Sequence, residues 1–214
     1  MAEHDVLQRA ASNGSSTTPE RGAKLIWSPF SWIMNTAKVR VWLVLFILTI
    51  VVSIALTIVD QPLKTKLTPH GIASFEFVAS KVDQVLELWS EEARQNAFLS
   101  LGLDYLYMFL YTFSLSLACH LSAEKDREFK GGGRKPGDFL CWLILFALPL
   151  DAKENYALIQ VLNLREEQMW ALVAKWCATL KFSIILPVLG YVLGWALFRF
   201  IAWLRRRFTS EDIS

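Results

Sequence analysis

A set of polar side chains lies inside stretches of sequence that are otherwise apolar enough for a membrane interior. The candidates for a ligand site or an ion pathway are Asp104, Tyr107, Tyr111, Asp151, Glu154, Asn155 and Lys181. A charged group at bilayer depth is costly unless it has a partner or a water-filled cavity. The set contains carboxylates, an amine, phenols and an amide. At the depth of a membrane interior, these groups predict either an ion pair that holds helices together or a site for a ligand or an ion.

The spacing of the first of these residues predicts one face of a helix. Ser100, Asp104, Tyr107, Tyr111 and Ser114 recur every three or four residues, so their side chains share a face. In contact with lipid these groups would leave their hydrogen bonds unmade, which costs free energy. We therefore expect this face to point into a helical bundle.

The remaining charges are predicted to meet across a helical hairpin. Asp151 and Glu154 share a helical face. The short connection 163–168 predicts an antiparallel hairpin that brings Lys181 level with Asp151 and within reach of one or both carboxylates. At ~1.5 Å per residue from the cytoplasmic helix ends, Asp104, Glu154 and Lys181 lie at heights of about 24, 22 and 26 Å. The sequence thus predicts one polar layer in the outer third of the bilayer.

Prolines interrupt the predicted helices near this layer. Pro149 closely precedes Asp151, and Pro187 lies in the last helix together with Gly190 and Gly194. A proline removes a backbone hydrogen bond and can kink a helix. We expect helix kinks at Pro149 and Pro187, which either line a site or fit neighbouring helices together. For the polar layer, too, a structural role and a ligand pathway both stay open.

The composition indicates the class of protein that must position these residues. Of the 214 residues, 54% are hydrophobic, and the mean hydropathy is +0.34. We predict an all-α integral membrane protein, a four-transmembrane-helix bundle with an extracytoplasmic amphipathic helix between spans 1 and 2. The predicted segments are a disordered cytoplasmic tail (1–24), an interfacial segment (25–40), a membrane domain (41–204) with spans at about 41–59, 97–121, 139–162 and 169–204, and a cytoplasmic tail (205–214).

The amphipathic helix is predicted over residues 72–96. Its apolar residues recur at helical spacing, with Ile72, Phe75 and Val78 at the start, whereas Glu76 and Asp83 fall on other faces. Such a helix either caps the bundle or lies on the lipid surface, and the sequence favours neither over the other.

The distribution of Lys and Arg predicts the orientation of the chain. Basic residues precede the first span, follow the second and follow the fourth, as in Lys38 and Arg40, 125–135, and Arg205 to Arg207. Because cytoplasmic loops carry the excess of Lys and Arg, both termini should be cytoplasmic. We expect a multi-pass protein of the plasma (inner) membrane.

Several chemistries are not indicated by the sequence. His4, His70 and His120 are far apart and form no metal or nucleophile motif, and no HExxH or GxSxG pattern occurs. The cysteines Cys119, Cys141 and Cys177 lie in apolar segments without metal spacing. We therefore predict no enzyme activity, no metal and no cofactor. The basic residues mark helix ends and form no separate patch, so we expect no nucleic-acid partner.

Two functions remain compatible with these features. The first is a non-enzymatic accessory, assembly or scaffold subunit of a membrane complex, in which the polar layer fixes the register of the helices. The alternative is a small transporter or a lipid- or small-ligand-binding membrane protein that uses the buried Asp/Glu/Lys layer. In either case the expected partners are the lipid bilayer and further copies of this chain or other membrane-protein subunits.

Overall fold

The protein is all-helical over the part of the chain that the computed structural model describes, residues 29–30, 35–78, 81–130, 136–163 and 167–211. The predicted tail 1–24 lies outside these ranges. The helices are α1 (Asn35–Val59), α2 (Ile72–Val78), α3 (Val82–Leu88), α4 (Glu91–Lys130), α5 (Pro136–Leu143), α6 (Ala147–Leu162) and α7 (Glu167–Glu211), with 3-10 turns at Gln61–Leu63 and Ile144–Phe146.

Three of these helices are long and apolar enough to cross a membrane. The candidate spans are Ala37–Val59 in α1, Glu91–Lys125 in α4 and Gln168–Arg205 in α7. In its most apolar stretch α4 has 61% of its residues buried, against 6% in α1 and 6% in α7. Therefore α4 forms the centre of the bundle, while α1 and α7 present the apolar outer surfaces that suit a lipid environment.

The segment predicted as the third span, 139–162, is not among these candidates. It consists of α5, the turn Ile144–Phe146 and α6, and its charged residues lower its apolarity. Pro149 is the third residue of α6; it has no N–H, and its ring excludes the α-helical bond to the carbonyl of Leu145. The helix accordingly tightens into a 3-10 turn in this region. In contrast, α7 continues as one helix through Pro187.

The predicted amphipathic helix over 72–96 is divided in the structure. It forms α2, α3 and the beginning of α4. The backbone of Trp89 is extended, and its indole Nε1 donates a hydrogen bond of 3.1 Å to the carbonyl of Leu63. Ser90 then caps α4, since its Oγ accepts a bond of 3.1 Å from the N–H of Ala93. The contact of Trp89 and the cap at Ser90 thus separate α3 from α4, although the periodicity of the sequence predicts one continuous helix.

The other helices are longer than the predicted spans. Helix α4 continues to Lys130, into the segment predicted as a basic connector, and α7 extends to Glu211. Helix α1 already begins at Asn35, so residues 35–40 of the predicted interfacial segment belong to it. At ~1.5 Å per residue each of these helices is longer than the ~30 Å of a hydrocarbon core, so its ends would extend past a bilayer.

Close contacts along α4 hold the bundle together. Helix α1 and helix α5 pack along α4, and α6 packs along α7. At Gly137 a Cβ atom would lie 2.6 Å from the hydroxyl of Tyr191 and 2.9 Å from the Cβ of Ala123, so only glycine allows α5 to approach so closely. Near this end Lys38 of α1 is buried, and its Nζ lies 2.9 Å from His120 Nε2 and 2.5 Å from Glu124 Oε1.

Candidate ligand cavity and its charge layer

A cavity of about 610 Å³ lies among α1, α2, α4, α6 and α7. Its wall includes apolar side chains such as Phe46, Leu56, Ile185 and Leu189. The wall also includes most of the charged residues that the sequence singled out. We use the name charge layer for Glu76, Asp104, Asp151, Glu154 and Lys181.

Lys181 lies at the centre of the charge layer. Its Nζ is 2.8 Å from Asp151 Oδ1 and 2.8 Å from Glu154 Oε2, and it also donates to Glu154 Oε1 at 2.9 Å. The exposed fractions are 6% for Lys181, 2% for Asp151 and 0% for Glu154. The predicted buried ion pair is therefore confirmed, and the lysine contacts both carboxylates. Because the three groups are desolvated together, each depends on the others to remain charged.

Residues of α4 complete the hydrogen bonds of this cluster. The hydroxyl of Tyr111 donates to Asp151 Oδ2 at 2.6 Å. Asp104 Oδ2 accepts a bond of 2.7 Å from the side-chain amide of Asn155. Tyr107 lies against Ser53 of α1, and its ring centroid is 5.3 Å from that of Tyr111. The polar stripe of α4 thus faces the bundle and contacts both α1 and α6.

Glu76 is a member of the charge layer that sequence reasoning missed. It was assigned to the polar side of the predicted amphipathic helix, yet it is only 8% exposed and lines the cavity. Its carboxyl is hydrogen-bonded to that of Glu154, and its Oε2 accepts no bond from a described donor. Burial raises the pKa of Glu76 well above its usual value; Lys181 opposes this rise and Glu154 adds to it. Its position four residues after Ile72, on the same helical face, is the signal that could have revealed it.

Asp60 is a second missed residue, and it positions α2 over the cavity. Its carboxylate accepts hydrogen bonds from Ser100 Oγ at 2.6 Å and from the N–H of Ile72 at 3.4 Å. Gly71, with φ of 63°, allows the chain to turn there. Burial raises the pKa of Asp60, and the bond from Ser100 opposes the rise. The only hint in the sequence is that Asp60 directly follows an apolar span.

The structure brings most of the predicted site residues together. Those that line the cavity are Asp104, Tyr107, Tyr111, Asp151, Asn155 and Lys181, while Glu154 contacts the same lysine. The kink residues Pro149 and Pro187 are not part of the cavity wall.

The electrostatics of the cavity favour a hydrogen-bond donor with positive charge over an anion. Its wall carries the carboxyls of Asp60, Glu76, Asp104 and Asp151, against the amines of Lys181 and the exposed Lys64. A metal is not indicated, because the described part of the chain contains no group of three or more His, Cys, Asp or Glu side chains that could hold one. The arrangement can bind and orient a small molecule and can exchange protons with it.

No protein-family model matches the sequence, and no curated protein or solved structure is significantly similar to it. The class of the protein therefore follows from its own fold and site. It is a helical protein with three helices able to cross a membrane and with a buried ion pair in the wall of a cavity between its helices.

Proposed function

We propose that this is a multi-pass membrane protein that binds a small amphiphilic ligand in the cavity, as a binding protein or a small transporter. The observation that carries the proposal is the cavity of about 610 Å³, whose wall combines apolar side chains with charged groups. Ligand sites in proteins have volumes of roughly 300 to 1,000 Å³ and combine apolar walls with a few polar groups. Both properties are met here.

A purely structural role explains this arrangement less well. Charges that only fix the register of helices need partners, and Lys181, Asp151 and Glu154 provide them for one another. They need no empty volume, and helical interiors are normally packed to the density of organic crystals. The cavity beside them, with the buried carboxyl of Glu76 in its wall, is the feature that a purely structural role does not require.

The proposed topology has four spans, the third at 139–162. Helices α5 and α6 with the turn between them extend from Pro136 to Leu162, about 40 Å at ~1.5 Å per residue, enough to cross a bilayer. Asp151 and Glu154 are buried against α7 and do not face outward. The low apolarity of segment 139–162 therefore does not argue against its being a span. Helices α2 and α3 then lie on the extracytoplasmic side, both termini are cytoplasmic, and the membrane is the plasma membrane.

A role as an accessory or scaffold subunit is the second candidate. It is favoured by the apolar surfaces of α1 and α7, where only 6% of the residues in the most apolar stretch are buried within the chain. Further subunits could cover these surfaces in place of lipid. Purification in mild detergent distinguishes the two roles: a monomer without any retained protein contradicts the subunit hypothesis.

Native mass spectrometry of the purified protein tests ligand binding. Thr57 lies in the wall of the cavity, whereas the neighbouring Ile58 is 64% exposed and outside it. We expect a retained small molecule in the natural protein and in Ile58→Trp, and its loss in Thr57→Trp, where the indole occupies the cavity. Equal retention by the two variants would contradict the proposed site.

A further inference from the structure

We propose that the ligand is a cationic amphiphile, a protonated amine with an apolar body, whose ammonium group binds between Glu76 and Asp104. This inference rests on the proposed ligand-binding function and adds the chemical class of the ligand. Its basis is the placement of carboxyl groups around the cavity and the number of hydrogen bonds that each already accepts.

Glu76 and Asp104 are the carboxyls with acceptor capacity left over. Asp151 accepts bonds from Tyr111 and Lys181, and Asp60 accepts bonds from Ser100 and the backbone. Among the described side chains, Asn155 donates the one bond that Asp104 accepts. Glu76 is more than nine-tenths buried and lines the cavity; its carboxyl is hydrogen-bonded to that of Glu154, and no described donor bonds to its Oε2. A buried carboxyl oxygen without a donor carries a free-energy penalty that a donating ligand removes.

The charges select the sign of that ligand. The charge of Asp104 contributes to the raised pKa of Glu76, and an ammonium placed beside both carboxyls would favour the ionised form of Glu76. The ammonium of Lys181 is already shared between Asp151 and Glu154. The cavity wall carries four carboxyls against two amines, so the balance of charge disfavours an anionic head group, whereas an ammonium would be attracted and can donate up to three hydrogen bonds. The rings of Tyr107 and Tyr111 border the same volume, and aromatic faces attract cations.

The apolar residues of the cavity wall indicate that the remainder of the ligand is apolar. Phe46, Leu56, Ile185 and Leu189 line the cavity, and they belong to α1 and α7, whose outer surfaces are the most exposed of the long helices. An alkyl or ring system beside these side chains would be removed from water. A head group alone would leave this part of the cavity empty, so the best match is an amphiphile and not a small hydrophilic amine.

The test compares matched probes that differ only in their head group. Octylammonium, octanoate and octan-1-ol are titrated by calorimetry against the protein in lipid nanodiscs, and the heat of partition into empty nanodiscs is subtracted. We expect saturable binding of octylammonium. Its affinity should fall by about tenfold or more in Asp104→Asn and in Glu76→Gln, since each variant removes a charge-assisted hydrogen bond. Glu87→Gln, which removes an exposed charge from α3, is the matched control and should bind as the natural protein does.

The outcomes separate this inference from the proposed function. If octanoate or octan-1-ol binds at least as tightly as octylammonium, the cavity is a ligand site but its ligand is not a cation. If octylammonium binds with equal affinity to Asp104→Asn, Glu76→Gln and Glu87→Gln, the ammonium does not lie between the two carboxyls. If none of the probes binds saturably and Thr57→Trp retains the same small molecules as Ile58→Trp, the proposed function fails as well. Glu76→Gln keeps the shape of the side chain and serves as the decisive variant if Asp104→Asn does not fold.

Discussion

Lys181 and Asp151 face each other across α7 and α6, with 2.8 Å between Nζ and Oδ1. The same ammonium also lies 2.8 Å from Glu154 Oε2, so one cation compensates two buried carboxylates. Removing it leaves both carboxylates without compensation, whereas removing one carboxylate leaves a complete pair. This asymmetry has a measurable consequence for stability.

We expect Lys181→Ala to destabilise the protein by about 3–5 kcal/mol, the typical penalty for breaking a buried ion pair by removal of one partner. The double variant Lys181→Ala with Asp151→Ala should be less destabilised, because one uncompensated charge is then absent. The measurement is the free energy of unfolding in detergent. Lys175→Ala, an exposed lysine on the same helix, is the control and should change it little. Equal losses in the single and double variants would contradict the pairing.

This ion pair shows which part of the site the sequence makes predictable. A short connection forces α6 and α7 to be antiparallel neighbours, and the spacing of Asp151 and Glu154 puts both on one face. With the hairpin register known, contact with Lys181 follows by counting residues. The stripe on α4 is predictable for the same reason, since helical periodicity alone determines that Tyr111 and Asp104 share a face.

Other features depend on tertiary structure and could not be predicted in this way. Glu76 looks like a surface residue until α2 is known to lie over the bundle, and that placement depends on Asp60 bonding to the start of α2. The break between α3 and α4 depends on Trp89 reaching Leu63. The cavity depends on how the helices pack against one another, which no local pattern encodes.

Gly71→Ala should destabilise the protein and weaken ligand binding. The glycine has φ of 63°, a left-handed conformation that costs other residues about 1–2 kcal/mol. A Cβ atom there would also lie 2.8 Å from Asp60 Oδ2, displacing the carboxylate that positions α2. The measurement is the melting temperature together with octylammonium affinity.

Gly102→Ala is the matched control for this change. Gly102 lies within α4, and a Cβ atom there meets nothing within 4 Å, so alanine should stabilise the helix by up to about 1 kcal/mol. If Gly71→Ala raises the melting temperature as Gly102→Ala does, the turn at Gly71 does not require glycine.

Glu76→Gln should change how stability depends on pH. Because burial raises the pKa of Glu76 in the folded protein, the folded state binds this proton more tightly than the unfolded chain does. Stability is therefore lost as pH rises from the usual pKa of glutamate, about 4.3, through the raised value. Glutamine has no proton to lose, so the variant should resemble the natural protein near pH 4 and should be more stable at pH 8. Melting temperatures across this range provide the measurement.

The pH profile of Glu87→Gln provides the comparison, since Glu87 is exposed on α3. This profile should run parallel to that of the natural protein. The groups that face Glu76 from the other helices, Asp104, Glu154 and Lys181, are unchanged in both variants. A difference between Glu76→Gln and the natural protein that stays constant with pH would contradict a raised pKa of Glu76 in the folded protein.

Cysteine labelling in intact cells tests the four-span topology. Lys66 and Phe208 are exposed, on the loop before α2 and near the end of α7. A membrane-impermeant maleimide should label Lys66→Cys in intact cells and Phe208→Cys only after permeabilisation. The native cysteines Cys119, Cys141 and Cys177 are buried, so the background should be low. If the segment 139–162 did not cross the membrane, α7 would run in the opposite direction. The reagent would then label Phe208→Cys in intact cells, and a protein with three spans would replace the one proposed.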